Sequence, residues 1–525
     1  MTNSIEDMRL ADVIFVVGSN TTEQHPLVAE RIIGAKKRGG RLIVADPRRT
    51  KLAALADIHL MLSPGTDLCL VNAMSKHILD AGLHAKAFIV ERTQGFEAFA
   101  KALEPWTVER AARECGVAAD SVRQAAECYA TGPNSSLAYC MGVTQHVSGT
   151  ANCLALANLV MLCGMVGRPH TGLNPLRGQN NVQGSCDMGA LPDVLAGYLA
   201  ADGPEARERF TPVWGDFAAK RGLTLTGMVS GAVKGSIRGL FVMGENPVVS
   251  DPDTAHVHKA LSKLDFLVAQ DIFPTETTKL AHVVLPAASW LEKEGTFTNT
   301  ERRVQKVNEV LPPLPGTLPD WEILTRLLRC FGHKADYARP EDVFMELCSV
   351  TPSYAGMTYA RLEKEQGLCW PCPAKDHPGT PCLHQGSFAR GKGRFVSEYL
   401  VNEKETADSE YPLLLTTGRV GFQYHTGSMT RRVWTLSREF PGNFVELHPD
   451  DAKSLGVKEN WKVRVSSRRG SVLARVRITA DIRRGVVFMP FHYGGNPANA
   501  LTGSRTDPVT DTPALKLNAV RIEHV

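Results

Sequence analysis

The sequence predicts an α/β multidomain protein with parallel-sheet domains followed by a C-terminal β-barrel-like domain. Unbroken apolar runs such as Val13–Val17 alternate with helical stretches, the pattern of parallel strands buried on both faces. Polar, Gly-bearing turns close those runs. Beyond Pro412 the pattern changes to short alternating strands separated by Gly turns.

In chain order, Val13–Val17 ends at Gly18-Ser19-Asn20, and a helix follows from about Pro26 to Lys37, stopped by Gly39-Gly40. A strand over 41–45 ends at Asp46-Pro47-Arg48-Arg49, and another over 58–62 ends at Ser63-Pro64-Gly65-Thr66-Asp67. A second set comprises 239–243, ending at Gly244-Glu245-Asn246-Pro247, then 266–269, ending at Gln270-Asp271, and 282–285 before Pro286. Three strands are fewer than a doubly wound sheet normally has. Residues 371–393, rich in Pro and Gly, read as a long connection. The barrel strands are expected at 413–416, 444–447, 461–466, 471–478, 486–489 and 519–522.

At 525 residues the chain exceeds one core and suits about three or four domains. With 43% hydrophobic and 22% charged residues, it is neither disordered nor collagenous. The net charge of +4 comes from 59 basic and 55 acidic residues mixed along the chain, which argues against a nucleic-acid partner. Twelve scattered cysteines read as reduced thiols of a cytoplasmic protein. The most apolar run, Cys153 to Gly167, is shorter than the ~20 residues of a membrane span and reads as a buried helix. The first residues lack the order of a signal peptide.

Polar turns at the carboxyl ends of parallel strands are where such sheets bind ligands. Tight turns and helix caps account equally well for any single one. Three in succession favour a nucleotide site, although the G-x-G-x-x-G of an ordinary NAD fold is absent. Residues 174–189, NPLRGQNNVQGSCDMG, have no apolar period for an amphipathic helix or a half-buried strand. So many amides imply a hydrogen-bonded network around something polar. Within it Arg177 can hold a carboxylate through paired bonds, and Gly178 lets a ligand approach the backbone. Arg177 could instead pin a polar interdomain loop. Cys369, Cys372, Cys382 and His384 have unsuitable spacing for zinc, so no metal ligand is assigned. Gly142-Val143-Thr144-Gln145-His146 and the Arg419 to Arg432 stretch read as ligand turns or as plain caps and solvated turns; His492 is ambiguous.

These stretches together resemble the catalytic subunit of formate dehydrogenases, molybdenum or tungsten enzymes carrying two pterin guanine dinucleotides. The resemblance rests on GSNTTEQHP at Gly18, ADPRRT at Ala45, LSPGTD at Leu62, MGVTQH at Met141, NPLRGQNNVQGSCDMGALPD at Asn174, MGENP at Met243, the run from Asp271 to Arg303, and YHTGSMTRR at Tyr424. It covers nearly the whole chain.

The resemblance implies that Arg177 binds formate, which is oxidised to CO2, and that Gly178 and Gln179 contact a pterin. It assigns Asp46 and Arg48 to one guanine nucleotide, with Gly18, Asn20, Gly65, Thr66, Asp67, Gly142 and Gln145 around the same cofactor. Gly244, Asn246, Asp271 and Thr275 would hold the second nucleotide. Arg419, His425, Thr426, Asn499 and Lys516 would close over the cofactor from the barrel. The implied division is 1–178 and 179–290 for the α/β domains, 291–407 for a helical or loop segment and linker, and 408–525 for the barrel.

The family's N-terminal [4Fe–4S] domain and its metal-ligating Cys or selenocysteine are absent from this sequence. The chain is therefore expected to be the part downstream of the metal ligand, as when a selenocysteine codon is read as a stop. The cluster would lie on that missing N-terminal portion, and so would any twin-arginine export leader. Alone, 1–525 is expected to be insoluble or inactive, with apolar sheet surface uncovered. The implied partners are the missing portion and an electron-transfer subunit linked to flavin/Fe–S, NAD or ferredoxin. Two alternatives are another pterin oxidoreductase, such as a nitrate reductase, and a non-catalytic complementing half-subunit.

Overall fold

The computed structural model describes residues 1–525, which gather into two compact units. The first holds Met1–Leu176, Pro247–Val257 and Cys382–Val525; the second holds 177–246 and 258–381. The four consecutive segments expected from the sequence are thus gathered into two discontinuous units. One tie is visible within the first: the Asn499 amide donates to the carbonyls of Val249 and Ser250.

The first unit contains a five-stranded parallel sheet in the order Ile58–Leu60, Arg41–Ala45, Val13–Val17, Ser135–Tyr139, Gly172–Pro175. Side chains alternate across a strand. Val13, Phe15 and Val17 enter one apolar cluster with the helices Asp67–Asp80, Ala119–Thr131 and Gly149–Leu162. Ile14 and Val16 enter the opposite cluster with the helix Pro26–Lys37. A strand covered on both sides has to be apolar throughout, which is why this one reads as an unbroken run. Each of its residues is at most 4% exposed and contributes about 1.5–3 kcal/mol of burial. That exceeds the ~1–2 kcal/mol needed to order its backbone only modestly.

The buried helix expected at 153–167 begins earlier, at Gly149, and stops at Leu162, where Gly164 turns the chain with φ of +64°. The third strand ends at Leu60, short of Leu62. Asn174, in a stretch expected to form no strand, lies in the edge strand Gly172–Pro175. It is tolerated there because its amide donates to Ser136 Oγ on the neighbouring strand.

The same unit holds a closed barrel, with Leu413–Gly418, Val486–Pro490, Phe444–Leu447, Ser471–Ile478, Lys462–Ser466 and Asn518–His524 adjacent in that order. Closure leaves no free edge. Alternate residues such as Val463, Val465, Val472, Ala474 and Val476 fill its interior.

The second unit contains a three-stranded parallel sheet with Phe266–Asp271 between Gly239–Met243 and Val283–Pro286. Leu267 and Ala269 are buried, whereas Phe241, Met243, Phe266, Val283 and Val284 are exposed. Within the segment expected to be helix and loop, Gly295–Thr298 and Arg303–Val307 form an antiparallel hairpin extended by Leu368–Cys369. Helices Asp320–Cys330 and Pro340–Val350 follow it. The segment Val182–Asp187, expected to form no amphipathic helix, is a short helix that buries Gln183, Gly184 and Asp187. Its buried face is polar, which apolar periodicity cannot reveal.

Candidate functional site

In the first unit, the expected ligand turns follow the carboxyl ends of the parallel strands. The strand order reverses beside Val13–Val17, and such a switch point opens a crevice. Its floor is main chain. Gly18, at φ +57°, accepts from the Gly142 amide at 3.0 Å, and a Cβ on Gly18 would sit 2.7 Å from the Gly142 carbonyl carbon. One on Gly142 would meet Gly18 at 2.6 Å. Neither position admits a side chain without moving backbone.

Buried charge collects around this floor. The Asp46 carboxylate accepts from the Arg48 amide at 2.9 Å, yet burial pushes it up to about 6, against the pull of that hydrogen bond and of the Arg48 and Lys516 charges. Burial, aided by the Asp46 charge, pushes Asp67 up to about 7. Desolvation pulls Lys516 down to about 8, while its Nζ donates to the Thr417 carbonyl at 2.6 Å and its amide to the Gln145 carbonyl. Burial also lowers Arg419. His146 and His425 fall to about 4 for the same reason, and His425 sits in left-handed backbone at φ +49°.

Several expected residues have internal tasks as well. Arg48 pairs with Glu446 at 2.9 Å and lies 3.6 Å over the Phe488 ring. Asn20 donates to Glu23, Thr66 Oγ1 to the Ser63 carbonyl, and the Thr426 and Ser428 hydroxyls bond each other. Gly65 packs so closely that a Cβ would lie 2.8 Å from Leu517.

The donor and acceptor set tests whether a pterin dinucleotide suits this unit. Both ring nitrogens of His492 and the Asn499 Oδ1 are buried without a hydrogen-bond partner. Each such group costs about 1–3 kcal/mol unless something polar meets it. Carboxylates short of donors suit a purine N–H edge, and lysine, arginine and backbone amides suit phosphates. The residues fit such a group.

In the second unit, Gly244 follows its strand at φ +63° and its amide donates to the Gln270 carbonyl at 2.8 Å. The Asp271 carboxylate turns back to accept from the amides of Ile272 and Phe273. Asn246 Oδ1 accepts from the Thr277 amide and hydroxyl while its Nδ2 donates to Glu276. Thr275 and Thr278 exchange hydrogen bonds between hydroxyls and amides. This set is brought together at the carboxyl end of the sheet.

Arg177 is held at two points: its amide donates to Thr300 Oγ1 at 3.0 Å, and its Nε donates to Gln183 Oε1 at 3.2 Å. Gly178 and Gln179 follow it, half-buried. The supporting residues Gln183 and Asp187 lie in the amide-rich stretch and Thr300 in the run to Arg303, with no individual role assigned to them, and Tyr198, Tyr354 and Trp370 join them from elsewhere. The amide-rich stretch points to a network, but most of its partners come from distant segments.

The cysteines weighed for zinc include Cys372, which packs in an apolar cluster with Val304 and Phe344. None of the twelve cysteines forms a disulfide, and no helix is long and apolar enough to cross a membrane.

Residues 1–329 match the molybdopterin oxidoreductase family and residues 413–519 match the molybdopterin dinucleotide binding domain. The F420-dependent formate dehydrogenase subunit alpha of Methanocaldococcus jannaschii is 49% identical, covering 100% of this chain and 78% of the relative. The assimilatory nitrate reductase catalytic subunit of Bacillus subtilis is 36% identical over 99% of this chain and 76% of its own length. Acetylene hydratase from Pelobacter acetylenicus shares the fold at a TM-score of 0.79 and 18% identity, covering 99% of this chain and 80% of that structure. With its switch-point crevice, buried charge and closed barrel, this chain belongs to the molybdopterin oxidoreductase family and is an oxidoreductase related to formate dehydrogenase alpha subunits.

Proposed function

We propose that this chain binds formate at Arg177 and forms the catalytic part of a formate dehydrogenase that releases CO2, a proton and two electrons. The observation that carries the reading is the tethering of Arg177 at amide and Nε within the amide-rich stretch. Paired guanidinium N–H donors match a planar carboxylate such as formate, and the Gln183 contact limits how this guanidinium can turn. The relative at 49% identity is a formate dehydrogenase subunit, whereas the nitrate reductase stands at 36%.

The cofactor would be two molybdopterin guanine dinucleotides with molybdenum or tungsten, and that group would accept the two electrons. Asp46 and Asp67 would meet the N–H edge of one guanine, with Lys516, Arg419 and the Gly18–Gly142 amides facing phosphate. Gly244, Asn246, Asp271 and Thr275 would hold the second nucleotide. Electrons would pass through a [4Fe–4S] cluster outside this chain to a partner subunit serving a flavin, NAD, ferredoxin or F420 acceptor, the last following the relative's name. Twelve cysteines without a disulfide favour the cytoplasm.

The test is Arg177→Ala in the assembled, metal-loaded enzyme. Formate kcat/KM is expected to fall about 100-fold or more, the loss of a bidentate charged contact. Released guanine nucleotide and oxidised-pterin fluorescence should stay at the unmodified level. Full formate turnover in the variant would remove the assignment.

A further inference from the structure

Beyond Arg177, the second unit contains a buried carboxylate that the formate assignment does not use. Asp187 sits on the short helix Val182–Asp187, one turn after Gln183, and is 1% exposed. Four side chains donate to it. Gln183 Nε2 and Tyr198 OH each reach Oδ1 at 2.8 Å; Trp370 Nε1 reaches Oδ2 at 2.8 Å, joined there by Tyr354 OH. The Trp370 indole and the Gln183 amide can only donate at these points, so each carboxylate oxygen is fixed as an acceptor. Arg302 in turn fixes Trp370, its guanidinium donating to the Trp370, Thr380 and Pro381 carbonyls.

This arrangement determines which way the Gln183 amide faces. Its NH2 group has acceptors on Asp187 and on the Tyr198 oxygen, both at 2.8 Å. With the NH2 so committed, Oε1 must face the other way, where Arg177 Nε stands at 3.2 Å. Reversing the amide would set a carbonyl against the carboxylate and an NH2 against the Arg177 N–H, and the Tyr198 hydroxyl could meet that carbonyl only by giving up Asp187.

Resting on the formate reading of Arg177, we infer that Asp187 is a positioning residue, acting through the polarity of the Gln183 amide to hold the Arg177 guanidinium in its formate-binding orientation. Gln183 is the intermediate positioning residue; neither needs to touch formate.

An exchange of amide and carboxylate tests this in the holoenzyme. In Asp187→Asn the new side chain keeps its carbonyl toward Tyr354 and Trp370 and offers NH2 to Gln183. Gln183 then turns round and places its own NH2 against Arg177. The KM for formate is expected to rise about tenfold, as for losing a hydrogen bond to a charged group, with kcat changing less. Adding Gln183→Glu restores an acceptor both to the amide introduced by Asp187→Asn and to Arg177, so the double variant should return KM to within about threefold of the unmodified enzyme. A purely structural Asp187 predicts no such rescue.

Gln183→Met supplies a second route, removing the acceptor without altering Asp187, and should raise KM similarly at unchanged pterin content. The inference is overturned if Asp187→Asn and Gln183→Met both leave KM unchanged, or if the double variant is no better than Asp187→Asn while both are fully cofactor-loaded. Arg177→Ala run alongside separates the two failures. If it raises KM and the relay variants do not, only the relay is wrong; if it leaves KM unchanged, the formate assignment falls and takes the relay with it.

Discussion

The two parallel sheets use the same device with very different support. Each ends its strands in Gly and Asp turns. The five-stranded sheet of the first unit is covered on both faces, with Phe15 fully buried, whereas the three-stranded sheet of the second leaves Phe266 51% exposed. A ligand turn needs only the carboxyl end of a strand, so the chemistry can sit on a sheet that contributes little core. Stability cannot: it follows the apolar area withdrawn from water.

The largest test of that contrast is a matched truncation. Phe15→Ala removes a ring packed edge-on against Tyr129 and should cost about 3–5 kcal/mol in denaturant unfolding. Phe266→Ala should cost under about 1 kcal/mol, since half of its surface is already in water. Equal losses would break the comparison.

Glycines at the strand ends provide the next test. Gly18→Ala combines a left-handed backbone with a collision against Gly142 main chain, and about 2–4 kcal/mol of destabilisation is expected. Gly244 has a similar φ but open space around its Cβ, so Gly244→Ala should lose only about 1 kcal/mol. Thermal unfolding of the two variants measures the difference.

A third test is electrostatic. The Asp46 and Asp67 carboxyls titrate at about 6 and about 7, above their unfolded value of 3.8. Between about pH 4 and 7 the folded protein therefore holds protons that the unfolded chain has released, and stability contributed by these groups falls as pH rises. In cofactor-free protein, Asp46→Asn or Asp67→Asn should flatten the decline in Tm over that window, the larger change falling on Asp67. Asp187 in the second unit, with four donors opposing its burial, should show a shallower slope. A steeper decline in the Asn variants of Asp46 and Asp67 would contradict the burial argument.

Much of the first sheet and the whole barrel were legible, because a doubly covered strand must be continuously apolar and a barrel strand must alternate. Apolar pattern could not reveal the hairpin over 295–307, whose strands are only half-buried and carry Arg303, Gln305 and Lys306. The site divides along the same line. Arg177 stands in a stretch too rich in amides to be ordinary loop, so it could be picked out. Asp187 owes its significance to Tyr354 and Trp370, 167 and 183 residues further on, and no spacing in the sequence announces those meetings.

The paired glycines have a consequence for how this crevice can change. Where two loops touch through peptide groups alone, mutation at those positions has no atoms to vary except by adding some, and every addition pushes the loops apart. Adaptation to a differently shaped occupant must therefore come from the surrounding walls, while the base stays a fixed datum against which they are adjusted.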